Sequence, residues 1–428
     1  MRSRDFPPAG QLVWFELLRP FVLLTPLYSS PRIIQAFDPK IAGYSPHPHL
    51  STHINYIHIA LCGTSVEGNM ASSQGDFETF LLGDWKLQSG EVIPDARIAF
   101  KALGDPALPA IVYPTWFSGL ISDNLWLVGD DKELSPKKYF IIVPALFGNG
   151  QSTSPSNSPT IKEFPRVTFY DNVRAQHELV TKHFNITHLR AVLGWSMGAA
   201  QTFQWATQYP EFMDLIVPFC GSAKTSLHNQ AFLEGVKSAL LAAKGFRSAG
   251  VGEVGAAVGS DLYRLWTRDE REVALRAFGR GYSGWGMSQT FYRQRLHETV
   301  LGYKDLEDFM VNFWEAFFLT KEPENLLVML QTWQNGDISK QEPYNGNFEA
   351  ALRAIKAKAL VLPSKTDLYF PPEDSEYEVA NLQPGIGRLD VFPSIWGHWA
   401  GAPPGNKEDM MWLNDRLVQF FKTVPGRQ

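Results

Sequence analysis

The chain has 428 residues, 44% of them apolar, enough for one large domain with an insertion or for two domains around a sizeable core. Lys and Arg number 39 against 44 Asp and Glu, a net charge of -5 with no dense basic run to follow a phosphate backbone, which argues against a nucleic-acid partner. Two cysteines far apart, Cys62 and Cys220, exclude a disulfide framework and suit a reducing compartment, so both read as packing residues of a cytoplasmic protein.

Residues 1–69 are rich in Pro, His and Ser without a sustained period and read as a poorly structured N-terminal extension. Within them Leu12 to Tyr28 is apolar but carries Glu16, Arg19 and Pro20, which speaks against a signal or anchor. No run of about twenty uninterrupted apolar residues exists, so no stable membrane insertion is expected. Met70, just before Ser72-Ser73-Gln74-Gly75, is a candidate second translation start.

From Phe77 the pattern becomes regular. Phe80 to Trp85 and Ile98 to Ala102 read as strands of an opening hairpin around Gln88-Ser89-Gly90-Glu91. Short apolar runs at 110–113, 139–143, 189–193, 215–219, 359–362 and 389–392 read as buried parallel strands. A helix is predicted over 171–184, with Asp171 as its cap. Strands alternating with helices imply an α/β fold, a mostly parallel sheet with helices on both faces, formed by residues 70–222 and 349–428. The interval 223–348 shows no strand pattern and many helical ones, at 232–241, 272–278, 306–318 and 324–334, and is predicted to be a helical cap inserted at the carboxyl edge of the sheet.

At that edge the chain reads strand, tight turn, helix around Gly194-Trp195-Ser196-Met197-Gly198, the pattern of a nucleophile elbow that lifts a serine hydroxyl above the sheet. A serine needs a base to take its proton and an acid to orient that base, in the chain order Ser, Asp or Glu, His. Asp367 follows the strand at 359–362 and His398 follows that at 389–392, each in a loop just past a strand end, so the predicted triad is Ser196, Asp367, His398, with Asp374 as the fallback acid. Backbone N–H groups of Met197 and of the loop Pro114-Thr115-Trp116 are the oxyanion candidates. Pro114 has no N–H to give, so Trp116 comes first and Thr115 next. Aromatics of the cap, Tyr263, Trp266, Tyr282, Trp285, Phe291, Tyr292, Trp314 and Trp333, suggest an apolar small-molecule substrate. No metal cluster is visible, and Gly148-Asn149-Gly150 lacks the lysine and spacing of a phosphate loop, so no cofactor is called for.

Over residues 77–424 the chain resembles the homoserine O-acetyltransferase-like branch of the α/β-hydrolase superfamily. The resemblance lies in Tyr170-Asp171-Asn172-Val173-Arg174-Ala175-Gln176, the elbow, Met329-Leu330-Gln331-Thr332-Trp333-Gln334-Asn335-Gly336-Asp337, and the loops of Asp367 and His398. It looks most like fungal members, some found with genes of secondary-metabolite or toxin biosynthesis. The resemblance implies acyl-enzyme chemistry, acetyl-CoA as co-substrate if the protein is a transferase, and a homodimer through cap helices. The sequence departs from the branch at Pro114-Thr115-Trp116, at Trp195 and Ala199 where glycines are usual, and at Lys224, where the branch carries an arginine for the substrate carboxylate. Lysine keeps the charge but loses the bidentate fork. Thr115, Trp195 and Lys224 are therefore the candidate substrate-binding residues, and hydrolysis of an ester or thioester is expected ahead of acyl transfer. A non-catalytic ligand-binding protein on the same fold is the alternative from another class.

Overall fold

A computed structural model describes residues 76–244, 266–402 and 406–425. The expected extension, the start at Met70, Cys62 and Tyr263 lie outside these residues. The hairpin forms as expected: β1 (Glu78–Lys86) pairs antiparallel with β2 (Val92–Leu103), its turn closed by Leu87 N–H to Glu91 O at 2.8 Å. The other strands are β3 (Ala110–Val112), β4 (Phe140–Pro144), β5 (Leu189–Trp195), β6 (Met213–Phe219), β7 (Lys358–Val361) and β8 (Gly387–Leu389). They form one sheet in the order β1-β2-β4-β3-β5-β6-β7-β8, parallel from β4 to β8.

Why apolar runs make these strands is visible in where alternate residues go. Val112, Ile142, Val192 and Ile216 enter one buried cluster, whereas Ile111, Ile141, Leu193 and Leu215 enter another, so each strand is covered on both faces and needs no polar side. The predicted strand at 389–392 is displaced. β8 ends at Leu389, and beyond it Phe392 makes an isolated bridge with Ser364, because Pro363 has no N–H to continue the ladder between them.

The first long helix, α1 (Phe169–Glu178), starts two residues earlier than predicted. Thr168, not Asp171, is its cap: the Asp171 N–H donates to Thr168 Oγ1 (3.2 Å) and Asp171 Oδ2 accepts from the Thr168 N–H (3.0 Å), a reciprocal capping box. From Leu179 to His183 the turns widen to a π-helix. After the elbow comes α2 (Met197–Gln208).

Between β6 and β7 the described residues hold helices, chiefly α3 (Leu227–Ala243), α4 (Arg268–Gly286) and α5 (Pro323–Gln334), and a continuous run from Leu306 to Leu319 whose middle, Met310–Glu315, is π-helical. Their buried side chains form a third cluster that also takes in Phe117, Met197, Tyr369 and Trp396, residues beyond the carboxyl ends of strands. The sheet is completed by α6 (Pro372–Ala380) after β7 and α7 (Lys407–Phe421) after β8. No helix among the described residues is long and apolar enough to cross a membrane.

Candidate active site

Ser196 sits at φ 59°, ψ -124°, a left-handed conformation that costs a non-glycine residue about 1–3 kcal/mol and is held by its surroundings. Its N–H donates to Phe219 O (3.1 Å), which ties the turn to the end of β6. A Cβ on Gly194 would lie 2.3 Å from the backbone of Gly198, so the two glycines of the motif face each other across the turn. Gly221 was missed by sequence reasoning: a Cβ there would meet Ala199 Cβ and Ser196 O, both at 2.5 Å. Its signal was faint, a glycine just past a strand end.

Asp367 and His398 come together as predicted. His398 Nδ1 lies 2.8 Å from Asp367 Oδ2, and Asp367 Oδ1 accepts the N–H groups of Tyr369 (2.8 Å) and Phe370 (3.2 Å). A carboxylate accepts and does not donate, so the shared proton belongs to Nδ1, and in the neutral imidazole Nε2 is then the acceptor. The two loops are fastened by Thr366, whose Oγ1 donates to Ser394 O and accepts from the Gly397 N–H, both at 3.0 Å. Asp374 stays in the first turn of α6, half-buried, and burial raises its carboxyl.

Ser196 and His398 line one narrow cavity with Trp116, Trp195, Tyr282 and Trp314. It leaves about 20 Å³ of free volume. Of the cap aromatics read from the sequence, Tyr282 and Trp314 reach this cavity, joined by Phe317 and Phe318, which sequence reasoning passed over; Trp333, Phe291 and Tyr292 pack within the helices.

In the loop after β3, the Thr115 N–H donates to Pro144 O (3.1 Å) as a continuation of the sheet, its Oγ1 accepts from the Leu146 N–H (3.1 Å) and its carbonyl accepts from Gln201 Nε2 (2.9 Å). Thr115 is thus a buried loop residue whose N–H is already taken and which does not line the Ser196 cavity, so it fits neither an oxyanion donor nor a substrate contact. The N–H groups of Trp116 and Met197 have no acceptor among the described residues, which is what an oxyanion donor requires. Asn124, also missed, pins this loop by donating through Nδ2 to Tyr113 O (3.1 Å) and Pro114 O (3.0 Å). Lys224 is the second correction. It is half-exposed, pairs with Asp337 (3.1 Å) and does not line the Ser196 cavity, because residues 224 and 337 bridge to each other and draw the chain aside. Cys220 is buried, and burial together with the Asp367 charge pushes its thiol well up, as a packing residue should be.

The family model described as alpha/beta hydrolase fold matches residues 124–402, a span that holds the elbow, Asp367 and His398. The chain belongs to the α/β-hydrolase family. Over 338 residues this α/β-hydrolase is 34% identical to a probable esterase of Corynebacterium glutamicum, covering 77% of this chain and 91% of that protein. It is also 34% identical, over 71% of its length and 84% of the relative, to an ethyl acetate hydrolase of Pseudomonas veronii. Among solved structures, an acetylester hydrolase from Corynebacterium glutamicum superposes with a TM-score of 0.73 at 31% identity, over 82% of this chain and 97% of that one. Homoserine O-acetyltransferases match more distantly, that of Haemophilus influenzae at 28% identity over 64% of this chain and 77% of the relative. The protein is therefore an enzyme of the esterase or acyltransferase kind, and the acetyltransferase-like resemblance holds at the level of homologues, with esterases nearer in identity.

Proposed function

We propose that this α/β-hydrolase is a serine carboxylester hydrolase for short acyl groups, acetyl above all, working through Ser196, His398 and Asp367. The observation that carries this is the 2.8 Å contact of His398 with Asp367, beside a serine at positive φ on the same cavity. Ser196 Oγ attacks the ester carbonyl while its proton passes to His398 Nε2. The carbonyl oxygen, now negative, is met by the N–H groups of Met197 and Trp116. The C–O bond to the alcohol breaks as His398 returns the proton to the leaving oxygen, and acetyl stays on Ser196. A water then gives its proton to His398, attacks the acyl carbon, and frees acetate and the serine. The chemistry calls for no cofactor.

Two considerations favour a small acyl group and water as acceptor. The cavity is narrow and walled by aromatic rings, and the relatives at 34% identity are named as an esterase and an ethyl acetate hydrolase. The bound alcohol portion we place, on the resemblance to members found beside secondary-metabolite genes, among acetylated secondary metabolites. The test is a series of p-nitrophenyl esters with a fluorophosphonate probe. Acetate should turn over, rates should fall about tenfold or more by hexanoate, and Ser196→Ala should lose both turnover, by at least about 10⁴-fold, and the label. Labelling of Ser196→Ala, or acetyl passing from acetyl-CoA to an alcohol faster than to water, would overturn the reading.

A further inference from the structure

We infer that Trp195 is a positioning residue for the base: its indole face holds His398 and stabilises the imidazolium that forms when Ser196 gives up its proton. The inference rests on the triad proposed above. The Trp195 and His398 rings are stacked, with centroids 5.1 Å apart and planes at 22°. The Trp195 Nε1–H donates to the carbonyl oxygen of His398 itself (3.1 Å), so one side chain grips both the ring and the backbone of the same residue. Trp195 is buried, and its further partners, Trp116 (4.8 Å, 67°) and Trp399 (5.8 Å, 76°), meet it edge to face, which fixes the plane of the indole. As the last residue of β5 it precedes Ser196 directly, so one strand end sets the nucleophile and the platform for its base. The sequence suggested a substrate contact; Trp195 does line the Ser196 cavity, and its side chain also holds His398.

The chemistry follows from the charge on the ring. The face of an indole is negative and attracts a cation within about 6 Å. A general base acts from its neutral form and is cationic only between receiving the Ser196 proton and returning it to the leaving alkoxide, so attraction to the indole acts on the transient state more than on the active starting one. Trp195 itself exchanges neither proton nor electron pair. The other groups facing His398 are Asp367 at 2.8 Å, the Tyr369 ring in a T-shaped contact (4.8 Å, 82°) and the tilted Phe370 ring (5.5 Å, 40°), with the backbone carbonyl of Tyr282 accepting the Tyr369 hydroxyl at 3.3 Å. Cys220 and Asp409, the latter hydrogen-bonded to Ser394, lie one layer further. Burial pushes the Tyr369, Tyr282 and Cys220 groups up, so they stay neutral while an imidazole titrates. Asp367 is then the charged partner of the cation, and among the rings around His398 Trp195 is the one stacked on it, at 22°, and the one that also holds its backbone.

Fluorinated tryptophans placed at position 195 by nonsense suppression keep the shape and the N–H while draining the face of charge. The readout is kcat/KM against pH with p-nitrophenyl acetate. The base must be neutral to act, so weakening the hold on the cation lets His398 shed its proton at lower pH, and the acid limb moves down. Across the series we expect about half to one pH unit, with kcat falling about three- to tenfold and KM unchanged. Trp195→Phe, which keeps a face, should move the limb less than Trp195→Leu. An acid limb that stays in place through the fluorinated series, while Ser196→Ala and His398→Ala are inactive, overturns the role of Trp195. Activity surviving in Ser196→Ala would instead sink the triad.

Discussion

Asp367 accepts three hydrogen bonds, two on Oδ1 from backbone and one on Oδ2 from His398, and that division of labour makes its chemistry separable from its structural part. In Asp367→Asn the amide oxygen can keep the backbone donors, but the amide nitrogen presents hydrogens to His398 and forces its proton onto Nε2, where it blocks Ser196. We expect kcat to fall about 10⁴-fold with little change in the thermal midpoint; a loss under tenfold would show that His398 is oriented by something else. That Asp367 and His398 would meet beside the Ser196 turn was legible because the proposed chemistry fixes both residue type and order along the chain. Thr115 and Lys224 were not, since their assignment depended on where a backbone N–H points and which way a loop turns. Neither is written in residue type: the Thr115 N–H is claimed by Pro144 O, and Lys224 by its bridge to Asp337.

At the scale of elements, the turn between β5 and α2 is held by what lies behind it. A Cβ at Gly221 would press against Ser196 O and Ala199, a backbone atom and a short side chain that cannot rotate away. Gly221→Ala should therefore cost about 1–3 kcal/mol in urea denaturation and slow fluorophosphonate labelling in the folded fraction. Wild-type labelling kinetics would mean that the elbow does not lean on this loop. Strand interiors were readable because burial on both faces leaves an unbroken apolar run. Element ends were less so, being decided by single backbone and side-chain bonds: Thr168 with Asp171 begins α1, and the missing N–H of Pro363 breaks the pairing beyond β8. The π-helical turn that carries Trp314 to the cavity left no mark in the period of its apolar residues, because one extra residue per turn shifts a stripe by less than side-chain choice blurs it.

For the whole molecule, stability depends on groups that join the parts. Glu378 on α6 is buried, its Oε1 accepts the Ala223 N–H at 2.6 Å, and its Oε2 has no partner among the described residues. Burial holds its carboxyl well above the usual carboxylate range. In the unfolded chain the group ionises near pH 4.3, so above that pH the folded protein keeps a proton that the unfolded chain has lost. Its contribution is thus fully present at low pH and declines as pH rises toward the folded value. Glu378→Gln imitates the protonated acid, and should flatten the fall in urea midpoint between about pH 5 and pH 8 while changing little near pH 4. A variant whose midpoint declines in parallel with wild type would remove Glu378 as the source. Such a term is invisible in the sequence, where Glu378 is one acidic residue among 44.

The free space beside Ser196, about 20 Å³, has a meaning at this scale too. A water occupies roughly 10–15 Å³ by the same measure, so the space beside Ser196 accommodates about one, and an ester has to push the surrounding rings apart. The resting shape is accordingly that of the second act, in which water meets an acylated serine, and every first act begins with a wall of rings standing aside. The rings that line it, Trp116, Tyr282, Trp314 and Phe318 among them, are thus the doorway as well as the wall.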